Sequence, residues 1–137
     1  MDHEVRTFQF RKLVRSGVLE SMIQNNQRVN AEYLTGQRHL EAMEDKFREE
    51  TDRLSLAKGS EQALNELADI QQLIDDSLTL LGQTPEDLAR VQAEKRNKAG
   101  DFLRGAFVRT VEVDSGIDPD RYTYFIEHPD CYPTQLD

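Results

Sequence analysis

The sequence has one cysteine and no tryptophan among its 137 residues. The single thiol, Cys131, excludes a disulfide framework within the chain and a cysteine-based zinc site. The lack of tryptophan and a hydrophobic share of 37% leave little material for an apolar core. We therefore expect one main domain with a lean core that a partner subunit helps to complete.

Basic residues are also few: the sequence has 17 Lys and Arg against 26 Asp and Glu, and its formal net charge is −9. This balance argues against a general nucleic-acid binder, which carries a basic surface. An acidic protein that handles phosphates needs metal cations or a few well-placed Lys and Arg residues.

Long apolar runs are absent, so no segment is expected to span a membrane. The first residues, MDHEVRTFQF, lack the apolar core of a signal peptide. The expectation is a cytoplasmic protein without a membrane partner.

Helical patterns fill most of the chain. They predict a short helix over about 18–26 and three long helices, over about 36–57, over 61–81 and from 85 to about 98–100. The expected capping residues are Thr35, Ser60 and Thr84. The predicted fold class is all-α, a bundle of three long helices and a short one that is completed by dimerisation.

Two segments outside the helices, 28–34 and 106–113, have the composition of short strands. A small β-strand pair is therefore an option, in which 106–113 pairs either with 28–34 or with the extended N-terminal stretch at 7–15. We assign residues 1–113 to the helical domain and residues 114–137, which are rich in Asp, Pro and Tyr, to an irregular C-terminal arm.

One position breaks the apolar pattern of the first long helix. Its apolar residues recur every three or four positions, at Leu40, Met43, Phe47 and Leu54. The same spacing calls for one more apolar residue between Phe47 and Leu54, at position 50, and that position holds Glu50. A carboxylate thus projects beside a stripe that should be buried.

The next long helix carries Glu66 and Asp69 at the edge of its own apolar stripe. Residues three apart on a helix are neighbours. If the two helices pack antiparallel, these carboxylates meet Glu50 in the groove between them. Such a cluster requires a positive charge, and Mg²⁺, with Mn²⁺ as an alternative, is the carboxylate-binding cation that also accepts phosphates.

The same residues have a simpler interpretation. Glu50 can pair with Lys46, and Glu49 with Arg53, as ion pairs one helical turn apart. Helix faces with patterned charges are usually only solvated. Spacing alone leaves both interpretations open.

Four segments in order resemble the all-α nucleoside triphosphate pyrophosphohydrolases, the group that contains MazG and phosphoribosyl-ATP pyrophosphohydrolase. These segments are FRKLVRSGVLESM, EDKFREETDRL, NELADIQQLIDDSLTLLG and EKRNKAGDFLRGAFV. The resemblance implies a helical bundle that assembles as a homodimer or a larger homo-oligomer. It also implies Mg²⁺-dependent hydrolysis of a nucleoside triphosphate between the α and β phosphates, giving a monophosphate and pyrophosphate.

The family's metal ligands come from a Glu-x-x-Glu on one helix and a Glu-x-x-Asp on the next. The resemblance implies Glu66 and Asp69 for the second motif and Glu50 for the first Glu of the first motif. The last Glu of that motif is replaced by Arg53. Either Glu49 and Asp52 supply a shifted ligand pair, or Arg53 neutralises the cluster.

In the catalytic hypothesis, Glu49 is the candidate base beside the metal. The phosphate-binding candidates are four cations, Lys12, Arg15, Lys95 and Lys98. The alternative hypothesis is a catalytically degenerate module of the same ancestry, used for nucleotide binding or protein assembly. In that case Arg53 should bridge one of the acidic residues.

Overall fold

The computed structural model describes residues 2–134. Five helices follow one another along the chain: α1 (Ser16–Gln24), α2 (Gly36–Leu56), α3 (Gly59–Leu80), α4 (Pro85–Ala99) and α5 (Pro119–Glu127). The all-α class is confirmed, and each of the four predicted helices lies within a few residues of its expected position.

Helices α2 and α3 form an antiparallel hairpin because only Ala57 and Lys58 connect them. They are the only two helices in the segment ending at Lys98 that pack against each other. Met43 on α2 is the only buried apolar residue among those described. The core of the hairpin is therefore as lean as its composition predicts.

Helix α4 begins with a capping box. The Thr84 hydroxyl accepts a hydrogen bond from the backbone N–H of Asp87 at 3.1 Å, and the Asp87 carboxylate accepts one from the Thr84 N–H at 2.9 Å. The predicted cap at Thr84 is thus confirmed. Thr35 occupies the N-cap position of α2 without a side-chain hydrogen bond. Ser60 is not the cap of α3, because Gly59 already belongs to that helix.

The predicted strand pair does not form within the described residues, since neither 28–34 nor 106–113 is a strand. A strand needs a neighbour for its backbone hydrogen bonds, and neither segment has one. The C-terminal segment is more regular than expected. Helix α5 lies within it, and the Asp118 carboxylate caps that helix by accepting a hydrogen bond from the Arg121 N–H at 3.1 Å.

The chain divides into two compact units, the first ending at Lys98 and the second beginning at Ala99. The hairpin, with Glu50 on α2 and Glu66 and Asp69 on α3, belongs to the first unit. In the second unit, aromatic side chains stack around α5, with the Phe125 and Tyr132 rings 4.5 Å apart. None of the described helices is both long enough and apolar enough to cross a membrane.

Candidate metal centre

Glu50 lies on the face of α2 that packs against α3, and only 3% of its surface is exposed. The interruption of the apolar pattern at residue 50 therefore places a carboxylate inside the hairpin. Burying an ionised carboxylate is costly unless a partner compensates its charge.

Two carboxylates of α3 meet Glu50 inside the hairpin. One oxygen from each of Glu50, Glu66 and Asp69 lies within 4.8 Å of the other two. We call these three residues the acidic cluster. The cluster forms because the antiparallel packing of α2 and α3 places Glu66 and Asp69, which are three residues apart on α3, beside Glu50. The cluster could hold a metal ion.

Two oxygens of the acidic cluster lack partners. Glu50 Oε2 and Glu66 Oε2 are buried and make no hydrogen bond. Buried polar atoms are nearly always satisfied, so each such atom requires an explanation. An oxygen-only donor set with unsatisfied carboxylates fits a hard divalent cation.

The pKa of Glu50 reflects its burial beside two other carboxylates. Burial raises the pKa of Glu50 above its ordinary value of 4.5, and the neighbouring carboxylates of Glu66 and Asp69 raise it further. Arg53 and Lys46 oppose the shift only partly. These two cations on α2 therefore do not fully offset the effect of burial and of the neighbouring carboxylates on Glu50.

Glu49, next to Glu50, has a different environment. Its carboxylate oxygens lie 2.7 Å from Lys12 Nζ, 2.9 Å from Lys46 Nζ and 3.0 Å from Arg53 Nη2. Hydrogen bonds from Lys12 and then Lys46 lower the pKa of Glu49 to about 2. A carboxylate with so low a pKa is a weak base near neutral pH.

Both ion pairs of the simpler interpretation are present. Lys46 Nζ lies 3.6 Å from Glu50 Oε1, and Arg53 reaches Glu49. Arg53 Nη1 also lies 3.6 Å from Glu50 Oε1, so one guanidinium spans two adjacent carboxylates. The ion pairs and the acidic cluster therefore coexist, with Glu50 taking part in both.

The segment before α1 supplies two further cations from a distant part of the sequence. Lys12 pairs with Glu49 on α2, and Arg15 Nη2 lies 2.6 Å from Asp69 Oδ1 on α3. The segment thus crosses both helices of the hairpin beside the acidic cluster. The sequence suggests Lys12 and Arg15 as phosphate ligands but does not reveal these carboxylate partners, because no local pattern links residues so far apart.

The other site candidates lie apart from the acidic cluster. Lys95 and Lys98 are exposed on α4, which packs on neither α2 nor α3, and neither forms an ion pair with a described residue. Asp52 is exposed and lies outside the acidic cluster. No shifted metal site built on Glu49 and Asp52 is present among residues 2–134.

A groove of about 270 Å³ opens beside the acidic cluster, where α2 ends and α3 begins. Arg53 and Glu66 line it together with Leu56, Ala57, Gln62 and Asn65. Pockets for small molecules usually measure about 300–1,000 Å³. The groove has room for part of a nucleotide, such as a phosphate group, but a single chain does not enclose a whole one.

Comparisons of the chain with protein-family models, with curated proteins and with solved structures found no match.

Proposed function

We propose that this protein is a divalent-cation-dependent nucleoside triphosphate pyrophosphohydrolase that works as a homodimer. The observation that carries the proposal is the pair of buried, unpartnered oxygens in the acidic cluster, Glu50 Oε2 and Glu66 Oε2. Glu50, Glu66 and Asp69 would hold the cation. Mg²⁺ is the first choice, because carboxylates bind it together with substrate phosphates, and Mn²⁺ is the alternative.

The surrounding charges favour a polyanionic substrate. Glu49 and the acidic cluster supply four carboxylates, and Lys12, Arg15, Lys46 and Arg53 pair with three of them as counter-ions. When all of these groups are ionised, the four negative charges equal the four positive charges. A bound divalent cation therefore gives the site a net positive charge. Such a site attracts a triphosphate.

The bound cation would supply two kinds of chemistry: it offsets charge on the phosphate oxygens, and it makes a bound water more acidic. Lys12 and Arg53 can turn from Glu49 towards the phosphates, because both side chains are long and partly exposed. The departure of Lys12 raises the pKa of Glu49, since the hydrogen bond from Lys12 is the largest cause of its low value. In this scheme, Glu49 becomes a useful base only when substrate is bound.

The proposed products are a nucleoside monophosphate and pyrophosphate, as in the family that the four sequence segments resemble. Lys95 and Lys98 would act on the phosphates only if α4 of a second copy reached the site. Homodimerisation is part of the proposal because the groove is too small and too open for a complete nucleotide.

The test is to incubate the protein with a panel of ribonucleoside and deoxyribonucleoside triphosphates and Mg²⁺ and to measure pyrophosphate. Release that disappears in Glu66→Gln but persists in Glu61→Gln supports the proposal, because Glu61 is an exposed acid on the same helix. No release from any nucleotide would retire the enzyme hypothesis.

The second candidate is a non-catalytic helical module that binds nucleotides or assembles proteins. The observation that favours it is Arg53, which occupies the expected ligand position and contacts Glu50 at 3.6 Å. In this case wild type should bind no divalent cation at the cluster. Arg53→Glu should then create binding, and its failure to do so would count against this candidate.

A further inference from the structure

A short segment before α1, residues 11–15, crosses the hairpin beside the acidic cluster, and we call it the strap. Two of its side chains hold acidic residues of different helices. Lys12 Nζ lies 2.7 Å from Glu49 Oε1 on α2, and Arg15 Nη2 lies 2.6 Å from Asp69 Oδ1 on α3. The strap is therefore attached to both helices by ion pairs.

Little else holds the strap on the hairpin. Leu13 and Val14 are only half-buried, and residues 2–10 before the strap are exposed. Helix α1, which follows it, packs on neither α2 nor α3 among the described residues. Arg11 has a φ of 51°, a left-handed conformation that few non-glycine residues adopt and that persists only where surrounding contacts hold it. The docked strap thus depends largely on its two ion pairs.

The four cations around the acidic cluster differ in their freedom to move. Lys46 and Arg53 belong to α2 itself, about one turn from Glu50, so the helix keeps them beside the cluster. Lys12 and Arg15 belong to the strap and are 37 and 54 residues away in the sequence from their acidic partners. The loss of their ion pairs would free the strap and leave the hairpin intact.

Arg15 contacts an atom of the acidic cluster. Asp69 is one of the three residues that could hold a cation, and its Oδ1 already accepts a hydrogen bond from Arg15. A divalent cation at the cluster brings two positive charges close to this guanidinium, and like charges repel strongly at short range. The Arg15 side chain is 55% exposed, and ion pairs at exposed positions contribute little to stability. Three carboxylates hold the cation and one holds Arg15, so the cation is the stronger partner.

We propose that the strap is a closing segment that a divalent cation displaces, because Arg15 and the cation compete for Asp69. In the cation-free protein the strap is docked and Arg15 partly neutralises the acidic cluster. Cation binding expels Arg15 and loosens the strap. This inference rests on the cation site of the proposed function, and it adds a conformational change that the site controls.

The competition acts in both directions. If cation binding weakens the docking of the strap by some factor, then the docked strap weakens cation binding by the same factor. The strap therefore sets the cation concentration at which the site fills. A substitution that undocks the strap should raise cation affinity although it changes none of the cation's ligands.

The first test is calorimetric titration of the metal-free protein with Mg²⁺. Arg15→Gln should bind Mg²⁺ about tenfold more tightly than wild type, since couplings between sites typically amount to about 5–150-fold. The matched control is Arg6→Gln, which removes the same charge from the N-terminal region. Arg6 pairs with Glu4 and with no other described residue, so this variant should keep the wild-type affinity.

The second test follows the strap itself. Phe10 immediately precedes the strap, is 49% exposed, and its ring centroid lies 5.9 Å from Lys12 Nζ. Because the chain has no tryptophan, Phe10→Trp makes this position the only source of tryptophan fluorescence. Mg²⁺ should lower the fluorescence anisotropy as the strap gains freedom, whereas NaCl at the same ionic strength should not.

Two further substitutions in the Phe10→Trp protein show whether the acidic cluster controls the strap. Glu66→Gln should abolish the response to Mg²⁺, because it removes a cation ligand and leaves the pair of Arg15 and Asp69 in place. Arg15→Gln should have a lower anisotropy than the Phe10→Trp protein before Mg²⁺ is added and should change little afterwards.

Two results would overturn the strap proposal alone: an anisotropy that stays constant while Mg²⁺ saturates the site, and equal affinities in Arg15→Gln and Arg6→Gln. Either result, with Mg²⁺ binding that is lost in Glu66→Gln, leaves the proposed cation site standing. If neither wild type nor Arg15→Gln binds Mg²⁺, both the strap proposal and the cation site are wrong. Pyrophosphate release is not among these readouts.

Discussion

Arg53 Nη1 lies 3.6 Å from Glu50 Oε1, one helical turn away on α2. The buried carboxylate of the acidic cluster thus has a permanent cation at its edge. Arg53 is about half exposed, whereas Glu50 is almost completely buried. The guanidinium therefore weakens the repulsion within the cluster without entering it, and both unpartnered oxygens remain available to a cation.

Replacing Arg53 by glutamate should strengthen divalent-cation binding at least tenfold, because the change substitutes a negative charge for a positive one a few ångströms from the cluster. Calorimetric titration with Mg²⁺ and Mn²⁺ measures the affinity. The control is Arg48→Glu, which makes the same charge change on the same helix at an exposed residue paired with Asp45. Equal gains from both substitutions would point to a general charge effect instead.

Glu66→Gln should lower the affinity for Mg²⁺ by about a hundredfold or more, since loss of outer-shell partners alone costs 10–100-fold at metal sites. The measurement is the rise in melting temperature on adding Mg²⁺, which a native-state ligand produces by mass action. That rise should be lost in Glu66→Gln and kept in Glu61→Gln. A rise that persists in Glu66→Gln would place the cation elsewhere.

Glu50 should make the metal-free protein less stable as the pH rises. Its folded-state pKa is raised above 4.5, so the folded protein holds a proton that the unfolded chain has already released. The free energy of unfolding should therefore fall as the pH increases from about 4.5 through the raised pKa. Urea unfolding in EDTA over this range tests the slope.

Glu50→Gln is the variant that identifies the source of this slope. The amide has a similar shape and no charge, so the variant should be more stable than wild type at neutral pH in EDTA and should respond weakly to Mg²⁺. Glu44→Gln, at an exposed position on α2, should retain the wild-type slope. A slope that survives Glu50→Gln would show that another group is responsible.

Glu49 should make the protein less stable as the pH falls, the opposite of the pH dependence expected from Glu50. Its pKa is lowered from 4.5 to about 2 by Lys12 and Lys46. The stability from these ion pairs is present above the unfolded-state pKa and is lost as the pH falls from 4.5 towards 2. Glu49→Gln should flatten this acid limb in unfolding curves, whereas Glu61→Gln should leave it unchanged.

Much of the local structure could be predicted from the sequence because its determinants are local. Apolar spacing located α2 and α3, and the Thr84–Pro85 start signal located α4. The strands were predicted wrongly because alternating residues favour a strand only where a neighbour accepts its hydrogen bonds. Helix α5 was missed because Pro119 and the acidic residues around it suggested a loop, although proline and acidic residues also begin helices.

The acidic cluster could be predicted in part. The interruption at Glu50 and the spacing of Glu66 and Asp69 are visible in the sequence, and the cluster was expected on the condition that the two helices pack antiparallel. The pairing of Arg15 with Asp69 could not be predicted, because the route of the N-terminal segment across the hairpin depends on contacts between distant residues.

The sequence by itself determined where the helices form, that a carboxylate interrupts an apolar stripe, and that the core is lean, since these follow from neighbours along the chain and from composition. Only the tertiary structure decided that Glu50 is buried against Glu66 and Asp69 and that Glu49 forms ion pairs with three cations. Charges and apolar faces act through space, and their effects depend on which helix lies opposite.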